Sequence, residues 1–480
     1  MPTKAWPTLS KDPLDTRRLV SDIFIAFFAQ ALSVLVSTLT TLILPKFLGI
    51  EAFGYWQLFI FYIGYVGFFH LGINDGVYLI FGGQARSNID KRNINSQFAF
   101  SCFYQLCFSA IIFGFALLGP FDSERAFVVG ATATLLTINN AGLFLGYLFQ
   151  ALNETKTYSF SCVAESAVLL AGFTILIALG VCDFEPYIVL YCLSRAARLV
   201  FCLIKAKEFL VSGLLPTNQA IRQGITSIKV GIQLMVSNIM GQLIIGVVRF
   251  FVDLKWGIEV FSVVSFSLSI ATFFLMFLSQ VSMVLFPHLR QSKADSIREY
   301  YCLLRDSLSL FLPVVYLLYP LIAFLLNLWL PEYSQGISLF IFLFPICVFD
   351  GKMDIVGATY LKVLRKERKL LEINLLTLGA SIAVTLLGAY IIHSIAFILV
   401  GVVTILGFRS FITERLLERT MGLSHSTLSW AIIPLSLLFI VLFSQLDQLF
   451  AFASYLICYL FFLAINAKTL KQLQVICGRR

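Results

Sequence analysis

Charge is what this sequence has least of. Only 13% of its 480 residues are Asp, Glu, Lys or Arg, about half the ~25% of an ordinary soluble domain, so a polar coat around a water-soluble core is excluded. The four histidines (His70, His288, His393, His425) are widely spaced and form no metal-ligand pattern. No GxxxxGK[ST] loop occurs, which removes ATP as a direct energy source. The ten cysteines carry no CxxC pair and lie mostly in apolar stretches, where they read as small packing residues. No catalytic constellation and no cofactor motif is present. Connections on one side of the chain's apolar runs never exceed about ten residues. That argues against a membrane polymerase, glycosyltransferase or ligase, which needs a structured loop or pocket outside the bilayer.

What is abundant is apolar: 59% of the residues are hydrophobic and 15% aromatic, with 48 Phe. Runs of about 20 apolar residues, each long enough to cross ~30 Å of hydrocarbon as a helix, recur from end to end. The chain reads as an all-α polytopic membrane protein. Fourteen spans are expected, at about 20–44, 54–82, 98–119, 126–150, 159–181, 187–204, 230–252, 260–286, 303–330, 337–361, 371–391, 395–412, 430–446 and 449–467. Arg17 and Arg18 precede the first run, which is longer than a signal-peptide core and lacks a small-residue cleavage site, so it reads as an uncleaved span.

Lys and Arg are retained on the cytoplasmic side. With the N-terminus inside, 30 of the 35 fall in inner segments and only Lys46, Arg125 and Lys255 in outer turns; Arg249 and Lys352 lie within spans. Both termini are therefore expected in the cytoplasm. The net charge of +9 is mostly inner-leaflet anchoring, and its scatter over eight segments argues against nucleic-acid binding. The sequon "NET" at 153–155 falls inside and is discarded.

One outer turn, "LPKFLGIEAFGYW" at 44–56 with Pro45 expected to end the first helix, contains a repeat. "GIEAFG" at 49–54 recurs as "GIEVFS" at 257–262, a shift of 208 residues, with Lys46 and Lys255 ahead of the two copies. Both open a long apolar hairpin. Six spans per copy is even, so the halves face the same way, related by an axis along the membrane normal. The expected organisation is a six-helix bundle at 1–204, a cytoplasmic linker at 205–229, a second six-helix bundle at 230–429, and two further helices with a tail at 430–480.

Polar residues inside spans are the remaining signal. Asn238, Gln242 and Arg249 fall on one face of span 7, and Gln30, Ser33, Ser37 and Thr41 line up on span 1. A hydrated cleft between bundles accounts for both stripes; helix–helix hydrogen bonding uses the same residue types. A charge near mid-bilayer costs at least ~2.5 kcal/mol and usually faces a cavity or a partner. Arg249 either faces the cleft or snorkels to the outer surface. Lys352 lies deep in span 10. Asp350 and Asp354, at i and i+4, could bind a cation or proton or neutralise Lys352 and Arg249. Glu165 in span 5 and Asp75 in span 2 read more simply as paired or interfacial residues.

"LPKFLGIEAFGYW…FFHLGINDG" resembles the opening hairpin of the polysaccharide (Wzx-like) flippases of the multidrug/oligosaccharidyl-lipid/polysaccharide (MOP) exporter superfamily. "VRFFVDLKWGIEVFSVVSFSLS…LFPHL", "WLPEY" at 329–333 and "YLKVLRKERKLLEIN" at 360–374 are similar to its later spans, turn and basic inner loop. Ser262 and Val263 depart from the Gly54-Tyr55 pair of the first copy. The resemblance implies a MATE-like fold and no enzyme activity. It implies alternating-access transport of a polyprenyl-pyrophosphate-linked oligosaccharide across a bacterial inner membrane. Partners would be membrane lipids, H⁺ or Na⁺ and other envelope polysaccharide assembly proteins. The expected cargo contacts are Arg249, Lys352, Asn238, Gln242, Gln30 and Lys46, and the expected coupling residues Asp350, Asp354 and Glu165. The rivals are a cation-coupled drug antiporter or a lipid II flippase of the same fold.

Overall fold

A computed structural model describes residues 31–291, 294–467 and 469–470, and every regular element among them is helical. Among the described residues, eleven helical stretches are long and apolar enough to cross a membrane. Two of them each hold a hairpin, and the interrupted stretch 334–363 adds one more crossing, so about fourteen crossings result.

Both hairpins break at a glycine. Gly49 separates α1 (31–48) from α2 (50–66) with φ 70° and ψ 176°, and Gly257 separates two later helices with φ 82° and ψ −177°. A residue with a Cβ scarcely visits that region. Pro45 does not end the first helix as expected. It stays inside, preceded by a π-helical turn, Leu39–Ile43, at the place where its ring would meet the carbonyl of Thr41.

The first bundle continues through α3 (Ile73–Phe81), α4 (Lys91–Leu118), α5 (Ser123–Ala151), α6 (Thr155–Ala178) and α7 (Phe184–Lys205). Asp90 and Asp122 cap α4 and α5, accepting from the backbone N–H of Arg92 and Arg125 at 3.0 and 2.8 Å. The second bundle begins with α8 (217–256) and α9 (258–291), the hairpin about Gly257. It continues through α10 (Ala294–Phe311), α11 (Tyr319–Trp329), α12 (Ser334–Leu343), α13 (Ile346–Lys352), α14 (Thr359–Val363), α15 (Glu367–Leu386) and α16 (Ile395–Met421). Helices α17 (Leu428–Gln445) and α18 (Gln448–Ile465) pack on the second bundle. Tyr316 bonds Ser436 at 2.7 Å, and Tyr459 donates to the Leu310 carbonyl at 2.8 Å.

The bundles meet along the two hairpins. Gly54 lies against Ile258 and Ser262, Phe53 against Phe266, Phe61 against Phe261, and Gln57 bonds Ser269. The separations run from 200 to 213 residues and straddle 208, the shift of the sequence repeat. Helices α2 and α9, each leading away from its hairpin glycine, therefore face each other through equivalent parts of the two halves. A second seam brings Gly72 and Gly76 against Ser227 and Gly231, where a Cβ on Gly72 would sit 2.7 Å from the Ile232 Cα. Small residues four apart on both helices permit that approach. The end carrying Gly49 and Gly257 is called the turn end, and the opposite one, with residues 84–97 and 362–369, the basic end.

Candidate functional site

Between the hairpins lies a cavity of about 360 Å³. Ser37, Thr40 and Thr41 line it from α1, Trp56 and Gln57 from α2, Tyr191 from α7, Arg249 from α8, and Ser269 and Thr272 from α9. Among the described residues its wall combines hydroxyls, aromatic rings and aliphatic side chains with one formal charge, Arg249.

Arg249 and Ser265 each lie eight residues from Gly257, so the hairpin places them opposite one another, and Arg249 Nε donates to Ser265 Oγ at 3.1 Å. Its Nη2 crosses to the first bundle and donates to the Gln57 carbonyl at 3.0 Å and to Gln57 Oε1 at 3.2 Å. Phe61 and Phe261 lie 5.1 and 5.2 Å from the guanidinium carbon. No carboxylate pairs with it among the described residues. At 1.5 Å per residue Arg249 lies about 12 Å below the turn, and its three hydrogen bonds are made there rather than at the surface. Under the 208-residue shift its mate is Thr41, so the symmetric frame carries an asymmetric charge.

The turn end is closed across the bundles. Arg125 on α5 meets Asp253 on α8 through two bonds of 2.7 and 2.6 Å. Tyr333 donates to the Gly49 carbonyl at 3.1 Å, Trp329 Nε1 to the Leu42 carbonyl at 2.7 Å, and Lys46 Nζ sits 3.5 Å above the Trp329 ring. At the basic end a vestibule of about 560 Å³ opens between the bundles, lined by Asp75, Tyr147 and Gln150 on one side and Asn238, Lys362 and Arg365 on the other. Beside it Arg86, Lys91, Glu154 and Glu208 clasp three loops of the first bundle. Lys91, and then Arg86, hold the Glu208 carboxyl below the usual range.

The other expected site residues are dispersed. Asn238 faces the vestibule, and Gln242 is exposed, its backbone carbonyl accepting from Tyr65 at 3.4 Å. Lys352 is buried away from the cavity, 2.6 Å from Glu414 and 3.0 Å from Ser429. Asp350 pairs with Arg409 at 3.4 Å rather than with Lys352 or Arg249, and Asn374 accepts from Arg409 at 3.1 Å. Asp354 is exposed within the π-helical turn Met353–Ala358. Glu165 bridges Arg195 and Arg198, each at 3.0 Å. Gln30 lies outside the described residues.

Sequence reasoning does not single out Gln57, Trp56, Arg195, Arg409 or Glu414. The last two read as inner-segment charges beside a span ending near 412, whereas α16 runs to Met421. The usable signal for Gln57 is positional: it follows Gly49 by eight residues, as Ser265 follows Gly257.

No protein-family model matches the sequence, and no curated protein matches it. Solved structures do. Lipid II flippase MurJ in an inward closed conformation is similar with a TM-score of 0.64 and 13% identity over 94% of this chain and 99% of that one. The inward-facing form of a multidrug resistance MATE family transporter of the MOP superfamily gives 0.59 and 12% over 84% and 98%. A point mutant of the Vibrio cholerae MATE transporter VcmN gives 0.57 and 16% over 86% and 99%. At such identities the likeness is one of fold, and the fold is that of polytopic MOP-superfamily transporters.

Proposed function

We propose that this protein is a flippase for a polyprenyl-diphosphate-linked oligosaccharide, carried from the basic, cytoplasmic end to the opposite leaflet of a bacterial inner membrane by alternating access of its two bundles. The observation that carries this reading is Arg249: a guanidinium without a carboxylate partner among the described residues, in a cavity between two membrane bundles whose wall also carries hydroxyl and amide side chains. Diphosphate oxygens match its donors, serine, threonine and glutamine side chains suit a sugar, and the prenyl chain stays in lipid. The lipid II named for the MurJ neighbour supports a lipid cargo here. A cationic drug would meet an unneutralised positive charge in the cavity. Asp350, Asp354 and Glu165 are the candidate residues for coupling to H⁺ or Na⁺, and assembly proteins of envelope polysaccharide are the candidate partners. The assignment of 1–204 and 230–429 as duplicated six-helix units belongs to the same proposal.

The test is deletion of the gene followed by fractionation of lipid-linked sugars. Oligosaccharide on a polyprenyl diphosphate should accumulate facing the cytoplasm and disappear from the outer leaflet. Unchanged outward transfer, together with sensitivity to cationic drugs, would favour the antiporter.

A further inference from the structure

The first bundle holds a second unbalanced charge. In α6 and α7 one carboxylate, Glu165, serves two guanidinium groups: Oε1 meets Arg195 and Oε2 meets Arg198, each at 3.0 Å. Arginine stays protonated in proteins, so the trio has a formal surplus of one positive charge. Its donors are also in excess. Among the described residues, Arg195 Nε and the Nε and Nη2 of Arg198 are buried without an acceptor, and the Arg198 side chain is only 7% exposed. A surplus charge with orphaned donors inside a membrane is expensive and is usually kept for an ion or substrate path.

The trio adjoins the cavity through Tyr191. Arg195 Nη2 donates to the Tyr191 hydroxyl at 2.6 Å, and Tyr191 lines the same cavity as Arg249. Arg195 follows Tyr191 by one helical turn on the same face, toward the basic end. Arg198 is enough to neutralise Glu165, which leaves the charge of Arg195 unspent. Each bundle thus holds one surplus guanidinium, Arg249 of the second in the cavity wall and Arg195 of the first directly behind Tyr191 of that wall.

Resting on the flippase reading above, we propose that Arg195 is the first bundle's half of the cargo site and makes the site selective for a diphosphate over a monophosphate. A diphosphate diester carries two negative charges on adjacent phosphorus centres. One phosphate meets Arg249, and the other draws Arg195 off Tyr191. A monophosphate satisfies one guanidinium and leaves the other unspent. Glu165 and Tyr191 hold Arg195 in waiting, and Arg198 keeps Glu165 from cancelling it.

The experiment uses the full chain in nanodiscs, with undecaprenyl diphosphate and undecaprenyl monophosphate as probes and native mass spectrometry as readout. Wild type should prefer the diphosphate. Arg195→Gln should lose about tenfold or more of diphosphate affinity, the scale of one charge-assisted contact, and little monophosphate affinity. Arg249→Ala should weaken both. Glu165→Gln removes the competing carboxylate and should tighten diphosphate binding, whereas a purely structural ion pair predicts no gain. If Arg195→Gln does not fold, Glu165→Gln decides: tighter binding supports the proposal, and unchanged or weaker binding overturns it. Arg195→Gln binding the diphosphate like wild type, or losing both probes equally, overturns the role of Arg195 and leaves the flippase reading standing. A wild type that binds neither probe sinks both.

Discussion

Arg125 and Asp253 lock the two bundles together at the turn end, two parallel bonds of 2.7 and 2.6 Å joining α5 of the first to α8 of the second. The Asp253 side chain is only 10% exposed, so screening is weak and the fork geometry gives direction as well as strength. Alternating access toward the turn end has to separate these residues. In a cysteine-free background, Arg125→Ala should raise labelling of a cysteine at Thr41 by an impermeant thiol reagent added at the turn end several-fold. The reversed pair, Arg125→Asp with Asp253→Arg, should bring labelling back toward the parent. Equal labelling in all three would show that this pair does not hold the end closed.

The two hairpin glycines should behave as twins. A Cβ at Gly49 or Gly257 meets nothing within 4 Å, so the cost of alanine there comes from backbone conformation alone. Positive φ with ψ near 180° is a glycine region, and forcing another residue into it costs about 1–3 kcal/mol. Gly49→Ala and Gly257→Ala should each destabilise by that order and by similar amounts in denaturation of purified protein. Gly64, helical and equally open, is the control and should tolerate alanine. Two very different costs at Gly49 and Gly257 would argue against equivalent hairpins.

That twinning was legible in the sequence because it rests on local chemistry: a glycine, a fixed spacing and a long apolar run on either side. The fourteen crossings were legible for the same reason. Partnerships inside the bundles were not. Hydropathy reports which solvent a helix can tolerate, and a charge that finds a partner across a bundle looks the same as one that has left the membrane. Arg409 and Glu414 therefore read as inner-segment residues, although Asp350 and Lys352, some sixty positions earlier, wait for them inside the second bundle. Arg195 reads as a cytoplasmic charge for the same reason, one turn from the cavity wall. Gln57 escapes notice for another: a single amide among aromatic residues gains meaning only when the hairpin folds Arg249 toward it.

Lys352 tests how such a pair differs from a cargo contact. With both side chains under 5% exposed and 2.6 Å apart, removing one partner strands a buried charge, which costs roughly 3–5 kcal/mol. Lys352→Met and Glu414→Leu should each lower the yield and melting temperature of the protein sharply. The double variant should recover most of both, since an apolar pair of similar volume is often as stable. Export should recover with it. A well-folded double variant without export would return Lys352 to the list of cargo contacts.

Orientation is testable without any knowledge of cargo. Ser87 is exposed, and Arg368 is 85% exposed, both at the basic end, while Ser123 is exposed at the turn end. Cysteines placed at Ser87 and Arg368 should resist an impermeant reagent on intact cells and react in inverted vesicles, and one at Ser123 should do the reverse. Labelling of Ser87→Cys or Arg368→Cys from outside would overturn the assignment of the basic end to the cytoplasm.

Arg249 carries the sharpest expectation. Its guanidinium makes two bonds to Gln57 and one to Ser265, neutral acceptors that a phosphate oxygen outcompetes because charge-assisted bonds are roughly twice as strong. Cargo binding would then free Gln57 and loosen a direct tie between the bundles within the cavity, which links occupancy to movement. Arg249→Ala should remove surface polysaccharide, or reduce it about tenfold or more, in cells where the protein still inserts at normal levels. Arg249→Lys should restore part of the export, since it returns the charge but not the fork. A snorkelling anchor predicts instead that alanine is tolerated and lysine is near wild type. Gln57→Ala separates the two roles of Arg249: it should keep the diphosphate contact and change the rate of transfer, because it removes one of the two bonds of the tie and leaves the charge. Full export by a normally expressed Arg249→Ala protein would rule out the cargo contact.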